Sequence, residues 1–129
     1  MTVTLGYATV GANDQDLDEQ LDELAGAGVD RRRIFTDRAM GSADKLRAGL
    51  LALLSYARSG DVVTVVSLER LGRSAAEVTQ TVTDLNTRGI TLRCLQNGLD
   101  TATASGRVVA EILGDLAALD EARHGSPAR

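Results

Sequence analysis

Histidine, cysteine, lysine and aromatic residues are nearly missing from this chain of 129 residues. Cys94 stands alone, so no internal disulfide can form, and His124 is the single histidine. A Cys/His metal cluster is thereby excluded, and neither a metal nor a cofactor is expected. A Ser/His/Asp triad inside the fold is excluded too, because His124 sits at the chain's end. Tyr7, Phe35 and Tyr56 are the only aromatics. The core must therefore be built from Leu, Val, Ile and Ala, and no aromatic platform exists for stacking the bases of single-stranded nucleic acid. No apolar run approaches the ~18 residues that a membrane span needs. The N-terminus lacks a basic stretch followed by an apolar one, so it does not read as a signal peptide. These absences predict a cytoplasmic, reduced protein with no membrane contact.

Lysine is as scarce as the aromatics: arginine supplies 13 of the 14 basic residues, and Lys45 is the exception. Net charge is −4 and the sequence pI is about 4.9. A domain that binds duplex DNA unaided is usually basic, so the charge balance predicts weak DNA binding at best.

What is present reads as alternating strands and helices. Val3–Val10 is a β-branched apolar run and predicts a strand. Asp14–Ala25 follows as a helix, with Leu17, Leu21 and Leu24 at helical spacing and acids loading its first turns. Those acids read as a solvated face. Gly26 and Gly28 end the helix. Arg32–Thr36 is a short second strand, preceded by a basic triplet (Arg31–Arg33) that reads as a solvated turn. Leu46–Arg58 is a second amphipathic helix. Val62–Val66 has the composition of a strand buried on both faces, which is typical of a parallel sheet. Ser74 and Glu77 fit a capping box that opens a helix to about Arg88, stopped by Gly89. Ile90–Leu95 is a fourth strand, with Cys94 as a small core residue. Thr103–Ala122 is a longer last helix with an apolar stripe at Val108, Val109, Ile112, Leu113, Leu116 and Leu119. The fold class is thus α/β: a mainly parallel sheet of four or five strands, helices on both faces and a long C-terminal helix. Residues 1–123 are expected to form one domain and 124–129 a short tail.

The most informative stretch is Leu68-Glu69-Arg70-Leu71-Gly72-Arg73-Ser74, which joins a buried strand to a capped helix. In parallel α/β sheets, ligands bind at the carboxyl ends of strands. Arginines placed there suit a phosphate, because a guanidinium is permanently charged and presents two donors side by side.

This run resembles the L-D-R-L-G-R-S segment of the resolvase/invertase family, the serine site-specific recombinases. Four other places match in order. Leu5-Gly6-Tyr7-Ala8-Thr9-Val10-Gly11 resembles the family's G-Y-A-R-V-S strand. Gln15-Asp16-Leu17 with Gln20-Leu21 resembles D-Q-x-L-x-x-Q-x-x-L. Arg47-Ala48-Gly49-Leu50 resembles R-P-G-L, and Gly98–Arg107 resembles G-I-D-T-x-T-x-x-G-R/K. The match spans residues 3 to about 120.

The resemblance implies a recombinase catalytic domain, and the departures from it fall on the chemistry. In the family, a serine ending the first strand attacks the DNA phosphodiester and becomes phosphoseryl-linked. Here that position is Gly11, which has no attacking atom. The arginine two residues earlier, which contacts the scissile phosphate, is Thr9. The family aspartate is Glu69. Arg47, Arg70 and Arg73 remain as a phosphate-binding cluster. In active members the last helix runs further, carries another arginine and leads to a DNA-reading domain; here Gly125 and Pro127 interrupt it, and no such domain is expected. Thr9 is a poor substitute nucleophile, since two strand rises displace its hydroxyl by roughly 6–7 Å. Ser42 and Ser74 read as turn and cap residues.

Three functions follow as expectations. The first is a degenerate recombinase domain, without catalysis, that acts by self-association or by pairing with a related recombinase in recombination or its regulation. The second is an active recombinase with atypical residues. The third is an anion-binding module built on the arginines. Family members dimerise through the long helix, so the resemblance and the exposed stripe both point to a dimer through Leu113, Leu116 and Leu119.

Overall fold

Short strands alternating with leucine-spaced helices build two apolar layers on either side of a four-stranded sheet. The computed structural model describes residues 2–10, 14–38, 48–72, 74–106 and 108–109. β1 (Thr4–Val10) leads through α1 (Asp14–Gly26) to β2 (Ile34–Arg38). α2 (Ala48–Tyr56), β3 (Val62–Val65), α3 (Ala75–Thr87) and β4 (Thr91–Cys94) follow. The strand order is β2-β1-β3-β4, and every pairing is parallel.

The chain winds from β1 outward to β2, then crosses back over β1 to reach β3 and β4. Winding therefore reverses between β1 and β3. α1 packs Leu17, Leu21 and Leu24 on one face with Ala8 and Val29. On the other face, Leu50 and Leu53 of α2 and Val82 and Leu85 of α3 pack on Leu5, Tyr7, Val63, Val65 and Leu92. Helices on both faces and a strand buried on both sides are as the sequence predicts; Val63, Thr64 and Val65 are all buried.

Local signals explain the element ends. The Ser74 hydroxyl accepts from the Glu77 N–H at 3.2 Å and starts α3. Gly89 (φ +76°) ends it in the left-handed region that disfavours a side chain. Arg88, at the end of α3, donates to the carbonyls of Leu54 (2.8 Å) and Ala57 (3.1 Å). A cation thus sits on the negative end of α2 and ties the two helices together.

The second strand starts later than expected. Arg31–Arg33 form a 3-10 turn instead of its beginning, because the Asp30 carboxylate accepts from the Arg32 N–H at 2.9 Å and holds the chain in a turn. The triplet is exposed, with Arg31 paired to Asp22 and Arg32 to Asp30. The Arg32 side chain first, and its backbone N–H second, hold the Asp30 carboxyl below its ordinary range. That contribution is present above the unfolded pKa of the group and lost as pH falls through the folded one.

Of the last helix, residues 104–106 and 108–109 are described and helical. Thr103 opens it, its hydroxyl accepting from the Gly106 N–H at 2.9 Å. Val108 and Val109 are exposed at 53% and 41%. Ile112, Leu113, Leu116 and Leu119 lie outside the described residues. No helix among the described residues is long and apolar enough to cross a membrane.

Candidate functional site

β1 outruns β3 at its carboxyl end. Thr4–Tyr7 pair with Val62–Val65, so Thr9 has no β3 residue beside it. Side chains fill the gap. Gln20, on α1 and only 2% exposed, donates from Nε2 to the Thr9 carbonyl at 2.9 Å and accepts from the Thr9 N–H at 3.3 Å. Its amide thus does what a neighbouring strand would do. Arg70 reaches the same carbonyl from the far side of the crevice, with Nη1 donating at 3.1 Å.

Arg70 lies in the 3-10 turn Leu68–Leu71 that follows β3. Its Nη1 also stands 3.3 Å from Asp16 Oδ2, with side-chain exposures of 23% for Arg70 and 36% for Asp16. Asp16 is fixed in turn by Gln20, whose Nε2 donates to Asp16 Oδ2 at 3.2 Å. Asp16, Gln20, Thr9 and Arg70 therefore form one connected group. They meet where the winding of the sheet reverses, since α1 leaves β1 toward one face while the chain after β3 leaves toward the other. That crevice is the usual ligand position in an open parallel sheet.

Gly72 lets the turn approach α3. A Cβ there would lie 2.6 Å from Glu77 Cβ and 2.7 Å from Val78 N. Any side chain would push the turn carrying Arg70 away from the first turn of α3.

A second acceptor stands beside this group, on the face of β1 that bears Tyr7. The Asp37 carboxylate, on β2, accepts from Tyr7 Oη at 2.7 Å, from the Gly49 N–H at 2.7 Å and from the Leu50 N–H at 2.9 Å. Gly49 and Leu50 are the second and third residues of α2. Asp37 thus caps α2 from another element, where a local serine or aspartate would ordinarily serve. A Cβ at Gly49 would run into the Thr36 carbonyl, so glycine allows α2 to start directly on β2.

The residues singled out in the sequence divide as follows. Thr9, Glu69 and Arg70 are described. Thr9 is 5% exposed, and its Oγ1 has no hydrogen-bond partner among the described residues. Glu69 is exposed in the turn that carries Arg70. Gly11, Arg47 and Arg73 lie outside the described residues. Sequence reading treated Asp16 as one of several solvated acids. The structure corrects this: Asp16 faces Arg70, a residue 54 positions away in the chain. Asp37 and Gln20 carry no site role in the sequence reading; the available hints were the motif that holds Asp16 and Gln20 and their i, i+4 spacing on α1. Among the described residues, no cluster of His, Cys, Asp and Glu could hold a metal ion.

The family model described as "Resolvase, N terminal domain" matches residues 4–127. The Transposon Tn3 resolvase of Escherichia coli is 38% identical over 118 residues, which is 92% of this chain and 63% of that protein. The DNA-invertase hin of Salmonella typhimurium is 36% identical over 117 residues, 91% of this chain and 60% of its own length. The chain therefore spans about three fifths of the length of these relatives. Among solved structures, the N-terminal catalytic domain of TP901-1 integrase superposes with a TM-score of 0.59 at 21% identity, covering 90% of this chain and 96% of that one. A resolvase family site-specific recombinase from Streptococcus pneumoniae gives a TM-score of 0.53 at 14% identity, covering 94% of this chain and 89% of that one.

Proposed function

This chain belongs to the resolvase family of serine site-specific recombinases, and on that footing we propose that it is a recombinase domain without strand-cleaving activity, which acts by association. The observation that carries the reading is the pair Gly11 and Thr9. Glycine stands where the resemblance places the attacking serine, and threonine where it places an arginine on the scissile phosphate. The sheet, the crevice beside Thr9 and the Arg70 turn are kept. A fold kept without its attacking atom fits a protein whose product is an assembly.

The partner is a second copy of this chain or a related recombinase. Val108 and Val109 support this, as two exposed apolar residues at the start of a stripe that the sequence continues through Leu113, Leu116 and Leu119. Light scattering at micromolar concentration tests it. The expected mass is that of a dimer, and Leu116→Asp is expected to halve it. A monomer at that concentration, unchanged by Leu116→Asp, rules out self-association.

The Arg70 corner is read as a seat for a phosphoryl oxygen, together with Arg47 and Arg73. Arg70 is a permanently charged fork at the crevice where such sheets bind ligands. Three arginines neutralise about three phosphates at most, and binding that weak is lost at physiological salt. Duplex DNA is therefore expected to bind more weakly than micromolar at about 150 mM salt, as read by fluorescence anisotropy. A submicromolar dissociation constant contradicts this.

A further inference from the structure

One acid of α1, Asp16, reaches the crevice between the strands. Asp18 and Glu19 are exposed to solvent. Asp16, still partly exposed, turns toward Arg70, and two groups hold it. Gln20 Nε2 donates to its Oδ2 at 3.2 Å, and Arg70 Nη1 stands 3.3 Å from the same oxygen. Gln20 is itself buried and tied at both ends of its amide to the backbone of Thr9. The carboxylate is therefore presented to the guanidinium by a fixed support and does not merely drift against it.

A carboxylate and a phosphoryl group offer a guanidinium the same thing, a negatively charged oxygen at hydrogen-bond distance. An incoming phosphoryl oxygen would need the side of Arg70 that Asp16 now holds, or would have to sit beside a charge of its own sign. We propose that Asp16 is an internal competitor for the phosphate seat of Arg70, so that this residue sets how tightly the site takes phosphoryl oxygens. The inference rests on the reading of Arg70 as a phosphate seat given above. It adds that the seat is occupied by the protein's own carboxylate, and that a ligand binds by displacing it.

The test compares the full chain with Asp16→Asn, which keeps the shape and an oxygen acceptor for Gln20 but removes the charge. Asp16→Ser is a second variant should the first fold poorly. Asp18→Asn is the control for net charge, since it removes one charge from the same helix on an exposed side. Inorganic phosphate is titrated at fixed ionic strength and followed by the 15N–1H shifts of the arginine Nε–H groups and the backbone. A fluorescein-labelled duplex is the second probe.

Asp16→Asn is expected to bind phosphate about five-fold more tightly than the unaltered chain, the scale of losing a half-exposed ion pair. Asp18→Asn is expected to change affinity by less than about two-fold, as a screened charge should. Adding Arg70→Ala to Asp16→Asn is expected to erase the gain. A matching gain with the duplex identifies a phosphodiester as the occupant, and a gain with inorganic phosphate alone identifies a small phosphate; either supports the competitor. Measurable and equal phosphate affinity in the unaltered chain and both Asp16 variants overturns the competitor and leaves the seat standing. A gain that survives Arg70→Ala overturns it as well. No phosphate binding by any variant overturns the seat itself, and the competitor with it.

Discussion

Mixed with supercoiled plasmid DNA carrying a recombination site, this chain is expected to leave no covalent protein–DNA adduct on a denaturing gel. The expected deficit is on the order of a million-fold, the scale seen when a hydrolase loses its attacking serine. Gly11 has no side chain to attack with. The nearest hydroxyl in sequence does not replace it: Thr9 lies two residues earlier and is only 5% exposed. In-line displacement loses orders of magnitude for a misplacement of about 1 Å, and two strand rises amount to roughly 6–7 Å. Ser74 is engaged as the cap of α3. Gly11→Ser alone is expected to stay silent as well. It restores an attacking oxygen but leaves Thr9 where the resemblance places an arginine, and it leaves Arg70 turned toward Asp16. An adduct formed by the unaltered chain would refute the inactive reading outright.

Asp37→Ala is expected to destabilise the fold by about 3 kcal/mol, equivalent to a fall in Tm of roughly 10 °C for a domain of this size. Asp37 accepts three hydrogen bonds, from Tyr7 Oη, Gly49 N–H and Leu50 N–H. Bonds to a charged acceptor are worth more than neutral ones, and a lost helix cap alone costs about 1 kcal/mol. Tyr7 is fully buried, so its hydroxyl cannot turn to water when this acceptor is removed. Asp37→Asn keeps one acceptor oxygen and is expected to cost about half as much. Denaturant midpoints for the three proteins check the order. A cost below about 1 kcal/mol for Asp37→Ala would mean that α2 is held by its apolar face alone.

The fold was largely legible because its signals are local. Apolar runs of strand length alternate with leucines at helical spacing, and Ser74 and Gly89 mark helix ends by their own chemistry. The triplet Arg31–Arg33 is the solvated turn that its charge suggests, but the start of β2 was placed two residues early, at Arg32. The deciding contact is the Asp30 carboxylate on the Arg32 N–H, and composition does not reveal it. At the crevice, Thr9 and Arg70 already stood out in the sequence through motifs, while the motif that holds Asp16 and Gln20 assigned those two no role. Asp16, Gln20 and Asp37 were missed because their roles are set by partners on other elements. An acid facing Arg70 and an acid facing water give the same pattern along a helix. An acid on a strand does not announce that it caps a helix beginning eleven residues later.

The amide of Gln20 has a consequence for which substitutions the chain can accept. At most buried positions the constraint is volume, and a residue of similar size is tolerated. At position 20 the constraint is stoichiometric. The side chain must supply a donor and an acceptor together, at one reach, to a backbone that has no β3 residue beside it. Glutamate matches the length but has no proton to give. Leucine and methionine match the bulk but offer neither group. Asparagine offers both but stops one methylene short. Variation at this position is therefore limited by the hydrogen-bond arithmetic of a peptide unit, and a library drawn from this chain should prove most intolerant at a residue with no charge, no reactivity and almost no exposed surface.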